Sequence, residues 1–239
     1  MTPTYPELAR RLTAALRLRA APVAIRFSAT SVQEGRFESS GAAPNEAGRT
    51  GAVPAGCVFW MMGTERTFAT EGPDHANCSV GSLTHGWLTL EEAATRDDVT
   101  AVLEAGWVDR TAVAALPRVG ERPASIVYGP LADSVETPDV VLVRLDGLGL
   151  MTLHGATPGL RIEGRPQCHI VAIAKEEGAV AASLGCALSR ARTGMRADEM
   201  TATIPGPRLA EVVEAIEATA QLDRGMASYA SKDATRFRA

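Results

Sequence analysis

Apolar positions recur at helical spacing near the start of the chain and again near its end. Leu8, Leu12, Ala15 and Leu16 share one face of a segment opened by Thr4 and Glu7, a capping-box pair, which predicts an N-terminal helix. Leu209, Val212, Val213 and Ile216 form one stripe of a second amphipathic segment starting at Pro207, with Glu211, Glu214, Glu217 and Gln221 opposite. That helix is expected to pack on a sheet. Residues 22–27, 125–128 and 140–145 carry β-branched or aromatic residues bounded by Pro or Gly and predict strands. A further capping box, Thr89 and Glu92, predicts a helix to about Ala105 with Gly106 as its stop. Ser28 to Ala55 shows no apolar periodicity and predicts a long surface loop, and residues 226–239 form a tail that is polar from Ser228.

Strands and helices mix here without a strict βαβ rhythm, so the expected fold is α+β (mixed α/β) around a mixed sheet, in a single globular domain spanning residues 1–239. An internal similarity refines that expectation. Residues 56–86 and 167–194 follow one plan: a cysteine opening an apolar stretch, a charged turn, a short apolar run, then a second cysteine before small residues. When Cys57 is aligned with Cys168, Glu65 and Glu176 fall at equivalent places. Two pseudo-repeated halves are therefore expected, about 1–120 and 121–225, each a Cys–helix–strand–Cys unit.

A strand followed by Gly147-x-Gly149 invites a dinucleotide-binding reading, but Thr152 stands at the third glycine position and no acidic residue follows at the end of a second strand. A short helix packing near the site is the better expectation.

Composition narrows the function. The chain has 239 residues, 46% of them hydrophobic, enough for a substantial core. A net charge of −4 and 5% aromatics argue against a nucleic-acid partner, which would need a basic surface and stacking rings. No apolar run approaches a membrane span and the N-terminal segment lacks a signal-type apolar stretch, so the expected location is the cytoplasm, with no membrane partner. Disulfides are not expected there.

The four cysteines, Cys57, Cys78, Cys168 and Cys186, are then core filler, metal ligands or redox groups. Cys57 and Cys168 each begin an apolar stretch where a helix start would stabilise thiolate, and small residues follow Cys78 and Cys186. The gaps of 20, 89 and 17 residues match no CxxC zinc or ferredoxin spacing.

The pattern Cys57…Asp74-His75-x-x-Cys78…Gly81-x-x-x-His85-Gly86, then Cys168-His169…Ser183-x-Gly185-Cys186-x-x-x-Arg190-x-x-Thr193-Gly194…Glu199…Ile204-Pro205-Gly206, resembles the uncharacterised domain-of-unknown-function 169 family from about Pro22 to Ile216. The resemblance implies that the four cysteines belong to a pattern recurring in many otherwise different members, often from anaerobes, and it points toward a redox or metal role without supplying an activity.

The leading expectation is a 4Fe–4S iron–sulfur cluster at the junction of the halves, held by all four cysteines or by three with one iron left open as a Lewis acid, since soft thiolates select iron–sulfur or zinc. The protein would then be a redox or Lewis-acid, lyase-type enzyme. The alternatives are a metal-free dithiol oxidoreductase and a zinc-stabilised binding module. His75, His85 and His169 are candidates for acid–base chemistry or ligation. Arg190, Arg192 and Arg196 are candidates for an anionic substrate, although a solvated basic face is the blander reading of Arg192 and Arg196. For Arg190 the resemblance favours a site role. Candidate partners are a small, anionic molecule, an electron-donor protein and a second copy of the chain.

Overall fold

The structure, a computed structural model, describes residues 3–38 and 56–233. Helix α1 (Tyr5–Leu16) begins where Thr4 Oγ1 accepts the Glu7 N–H and buries Leu8, Leu12 and Leu16. Strand β1 (Val23–Ser28) follows, then α2 (Gly56–Met62), β2 (Phe68–Thr70) and α3 (Ser79–Thr84). Three short helices come next, α4 (Leu90–Ala94), α5 (Asp97–Glu104) and α6 (Arg110–Ala114), before β3 (Ser125–Pro130), β4 (Val140–Leu145), α7 (Gly147–Ala156) and β5 (Arg161–Glu163). The chain continues through α8 (His169–Ala172), which runs on as a π-helical turn (Ile173–Glu177), to β6 (Ala181–Ser183), α9 (Ala187–Thr193), β7 (Met200–Pro205) and α10 (Leu209–Asp233).

The expected mixed α+β architecture is present. Seven strands form one sheet in the order β2-β3-β1-β4-β7-β6-β5, antiparallel throughout except for β5 beside β6. Outward from the central β1–β4 pair, one side runs β1, β3, β2 and the other β4, β7, β6.

Strand alternation divides the core. Val141, Val143 and Leu145 join Ala202 and Ile204 under α1, α7 and α10, where Leu209, Val212, Val213 and Ile216 supply the stripe seen in the sequence. Arg11 ties α1 to α10 through a two-pronged ion pair with Glu217, at 3.0 and 2.7 Å. On the opposite face, Val140 and Leu142 join Ile25, Ile126 and Tyr128 against Phe59 and Trp60 of α2 and Cys168 and Val171 at α8. All four cysteines lie on this second side.

Several expectations need correction. The predicted helix from Thr89 to Ala105 is two helices, α4 and α5, broken at Thr95–Arg96, although Thr89 and Glu92 do form the reciprocal cap. The tail expected from residue 226 is helical to Asp233, because α10 continues past its buried stripe. Of the predicted loop, the part up to residue 38 docks on the sheet, with Phe37 buried and Arg36 bridged to Ala69. Its remainder lies outside the described residues. Strands β2 and β6 fall where the Cys–helix–strand–Cys plan places a strand, whereas β5 and β7 were not predicted.

The rejected Gly147-x-Gly149 motif is a short helix, as expected, but it packs against α1 and α10 on the face opposite the cysteines rather than near the site. Asp146 caps α7 by accepting the Gly149 N–H at 3.0 Å. At Gly149 a Cβ would lie 3.1 Å from Leu145 Cβ and 3.3 Å from the Leu16 carbonyl, so the glycine serves close packing against the end of α1.

Gly206 is tighter still, since a Cβ there would lie 1.7 Å from the Pro138 carbonyl oxygen while its own N–H bonds Asp139 at 2.8 Å. Gly206→Ala is therefore expected to cost about 3 kcal/mol or more, because backbone must move. Gly147→Ala, which would meet nothing within 4 Å, should change stability by less than about 0.5 kcal/mol. Urea midpoints at unchanged slope check both.

Candidate functional site

Four separate helix starts deliver the four cysteines. Cys57 lies in the first turn of α2, while Cys78, Cys168 and Cys186 occupy the N-cap positions of α3, α8 and α9. All four are free thiols, and all four line a single cavity of about 370 Å³ on the α2 and α8 side of the sheet. That volume falls within the range of small-molecule and cofactor sites, roughly 300–1,000 Å³. The packing that closes it pairs α2 with α9 and α3 with α8, so each cysteine segment from one part of the chain meets one from the other.

Burial governs the state of these thiols. Removal from water pushes Cys57 up to about 11, with the neighbouring Cys78 and Cys186 adding to the rise while a Ser189 hydrogen bond and Arg192 oppose it. Cys168 rises well above the ordinary thiol value, again through burial first and then through Cys78, Cys186 and Cys57. Cys78 is raised by burial despite the Gly81 N–H and Arg192 beside it. For Cys57 and Cys168 the neighbouring cysteines are among the causes, which places the thiols within electrostatic reach of one another.

The polar neighbours are few. Arg192 reaches the Cys78 sulfur from α9. Gln167, buried at 2% exposure, donates from Nε2 to Ser189 Oγ at 2.5 Å, and Ser189 in turn bonds Cys57. The Thr84 hydroxyl lies within hydrogen-bonding reach of Cys168. The rest of the wall is largely apolar, with Val80, Val102, Leu188 and Trp107, whose ring carries the Arg165 guanidinium at 4.8 Å. Asp97 and Asp98 stand at the wall as well, and Asp98 accepts the Ser79 N–H at 2.9 Å.

Among the described residues, no three His, Cys, Asp or Glu side chains are grouped to hold a single metal ion. The thiols instead ring a volume larger than one ion. As a donor set they suit a body with several soft metal corners, since thiolate ligation takes up the negative charge that burial otherwise disfavours.

Apart from Arg192, the other sequence candidates are distributed around this cavity rather than in it. His75 and His85 are buried behind Gly56, which itself lines the cavity. His169 turns Nε2 to Glu163 on β5 at 3.2 Å. Arg190 donates to the backbone carbonyls of Leu184 at 3.1 Å, Glu199 at 2.6 Å and Arg196, and its guanidinium lies where a Cβ on Gly185 (φ +115°) would be. It fastens the turn that presents Cys186. Arg196 pairs with Asp198 in solvent. Arg192, read in the sequence as more simply a solvated charge, is the arginine of the three that lines the cavity.

A family model described as uncharacterised ArCR, domain of unknown function 169, matches residues 11–215. The chain belongs to the DUF169 family. No curated protein and no solved structure matches it.

Within this DUF169 chain the motif residues divide by role. Asp74 binds Arg36 at 3.0 Å and accepts the Glu71 N–H at 2.8 Å, holding the turn before Cys78. Glu199 pairs with Arg144 at 2.6 Å and accepts the Arg196 N–H at 2.9 Å, closing the loop after α9. Gln167, Ser189 and Trp107 are cavity residues that sequence reasoning missed. For Ser189 and Arg192 a signal existed: three residues apart on a helix capped by Cys186, they share a face, and Arg190 does not.

In metal-free protein, Cys57 should alkylate with iodoacetamide at least about tenfold more slowly than free cysteine at pH 8, its rate climbing until the pH reaches about 11. Arg192→Ala removes the cation that lowers Cys57 and Cys78 and should slow both further at fixed pH. Mass spectrometry of the modified peptides measures both effects.

Proposed function

We propose that this DUF169 chain is an iron–sulfur protein in which Cys57, Cys78, Cys168 and Cys186 hold a 4Fe–4S cluster, acting on a small molecule as a redox or Lewis-acid enzyme in the cytoplasm. The observation that carries the reading is the convergence of all four cysteines of the chain on one cavity wall. Core filler would leave small apolar side chains dispersed. Here they face a shared space, and neighbouring thiols make Cys57 and Cys168 harder to ionise.

A bound cluster supplies electron transfer when four thiolates hold it, and a Lewis acid when one iron stays open to substrate. The chain's own residues do the rest. Arg192 offsets negative charge on the Cys78 side and offers guanidinium donors to the anionic end of a small molecule. Ser189, held by Gln167, keeps a hydrogen bond on the Cys57 sulfur, the kind of outer contact that orients a ligand and tunes its basicity. Trp107, Val102 and Leu188 give an apolar side to the cavity and exclude water from the sulfurs. The same proposal takes two parts of the chain as related, supported by strand orders that match outward from β1 and β4, which assigns β3 (Ser125–Pro130) to the first part and moves the boundary from about 120 to beyond residue 130.

Anaerobic purification should yield brown protein absorbing near roughly 400 nm, with about four iron and four sulfide per chain. Cys→Ser at each position should then lower iron content, most for the ligands. Zinc alone would replace the proposal with a zinc-stabilised module, and metal-free protein with a reversible two-thiol oxidation would replace it with a dithiol oxidoreductase.

A further inference from the structure

Behind Gly56 lies a group of buried polar atoms that the cavity does not use. His85 Nδ1 sits 2.8 Å from the Gly81 carbonyl, which can only accept, so this nitrogen carries the proton and Nε2 is a bare lone pair. Thr70 Oγ1 donates to the Ile126 carbonyl at 3.0 Å, so the 3.0 Å contact between Thr70 Oγ1 and His75 Nε2 must be donated by the imidazole. His75 Nδ1 is then the second bare lone pair. Burial lowers both histidines, His85 to about 4 and His75 well below its ordinary value, so both rings are neutral at pH 7.

Among the described residues neither lone pair has a protein partner, and three donors around them have none either: Tyr128 Oη, Trp60 Nε1 and Trp87 Nε1. These rings surround the pair closely. His75 lies 5.5 Å from Trp87 and 6.3 Å from Tyr128 between ring centroids, His85 lies 6.3 Å from Trp60, and the two imidazoles are 5.9 Å apart. An unpaired polar atom this deep costs roughly tenfold or more in the folding equilibrium, and five together would be hard to sustain. Gly56 leaves room at this point. A Cβ on it would meet nothing nearer than His75 Nδ1 and His85 Cε1, both at 3.6 Å.

We propose that the five atoms enclose an internal water site of at least two molecules. One water offers two hydrogens and two lone pairs, enough for both imidazole acceptors but short of three donors, so a second is required. The site forms the back of the cavity wall at Gly56 and braces the residue that precedes Cys57. It stands whether or not a cluster is bound, so it succeeds or fails independently of the function proposed above.

Two measurements on the full chain test it. A high-resolution crystal structure should place water within hydrogen-bonding distance of His75 Nδ1 and of His85 Nε2, and nitrogen-15 spectra should show His75 protonated on Nε2, His85 on Nδ1, and both bare nitrogens shifted upfield by an accepted hydrogen bond. The second uses Gly56→Ala. Its methyl fits at ordinary contact distance, and helix propensity alone predicts a several-fold gain in folding equilibrium. If it displaces water, stability should instead fall roughly tenfold and the His75 Nδ1 signal should move. A dry gap, the opposite tautomers, or a Gly56→Ala protein more stable than the parent would overturn the proposal.

Discussion

The arrangement depends on the cost of charging thiols that share a small, poorly hydrated space. Cys57 and Cys168 lose their water in the cavity and gain like neighbours, so both become harder to ionise. Among the described residues Arg192 is the arginine that lines the cavity, and one guanidinium cannot balance four thiolates. Such a set is stable either as neutral thiols or as ligands to something strongly positive. The surrounding structure takes no step to disperse the sulfurs: four helices from distant parts of the chain all begin there.

The sheet makes that convergence rigid. Its central strands are buried on both faces, with one core under α1, α7 and α10 and the other under α2 and α8, so the cavity rests on a floor that is itself pinned from below. Turns leading to the cysteines are fastened by charge. Asp74 with Arg36, Arg190 with three backbone carbonyls, and Glu199 with Arg144 hold the loops on either side of Cys78 and Cys186. These contacts account for several motif residues that lie away from the cavity.

Much of this frame was legible in the residues. Caps at Thr4 and Thr89 and the stripes of α1 and α10 follow local rules, because each depends on neighbours within one or two turns. Strand β7 was not predicted although its residues alternate, Met200, Ala202 and Ile204 against Thr201 and Thr203. It lies between β4 and β6 with both faces covered, so the threonines are as buried as Ala202 and Ile204, and Thr203 bonds the Ile170 carbonyl. At the site, the cysteines announced themselves by type and repetition, whereas Gln167 and Trp107 carry no chemistry of their own until folding sets them beside the sulfurs. Arg190 and Arg192 differ by two positions, which on a helix is enough to send one to backbone and the other to the cavity.

The two outer strands, β2 and β5, are only three residues long, and the outer side of β2 is covered by residues 35–37, where Ala69 accepts the Phe37 N–H and donates to the Gly35 carbonyl. Margins so short and partly covered leave few unpaired backbone groups for a stray chain to zip onto. Arg161 and Glu163 on β5 also engage each other by an ion pair, which further discourages a flat apolar contact. The fold can therefore carry a broad, largely hydrophobic sheet without offering its rims as templates for fibrous association.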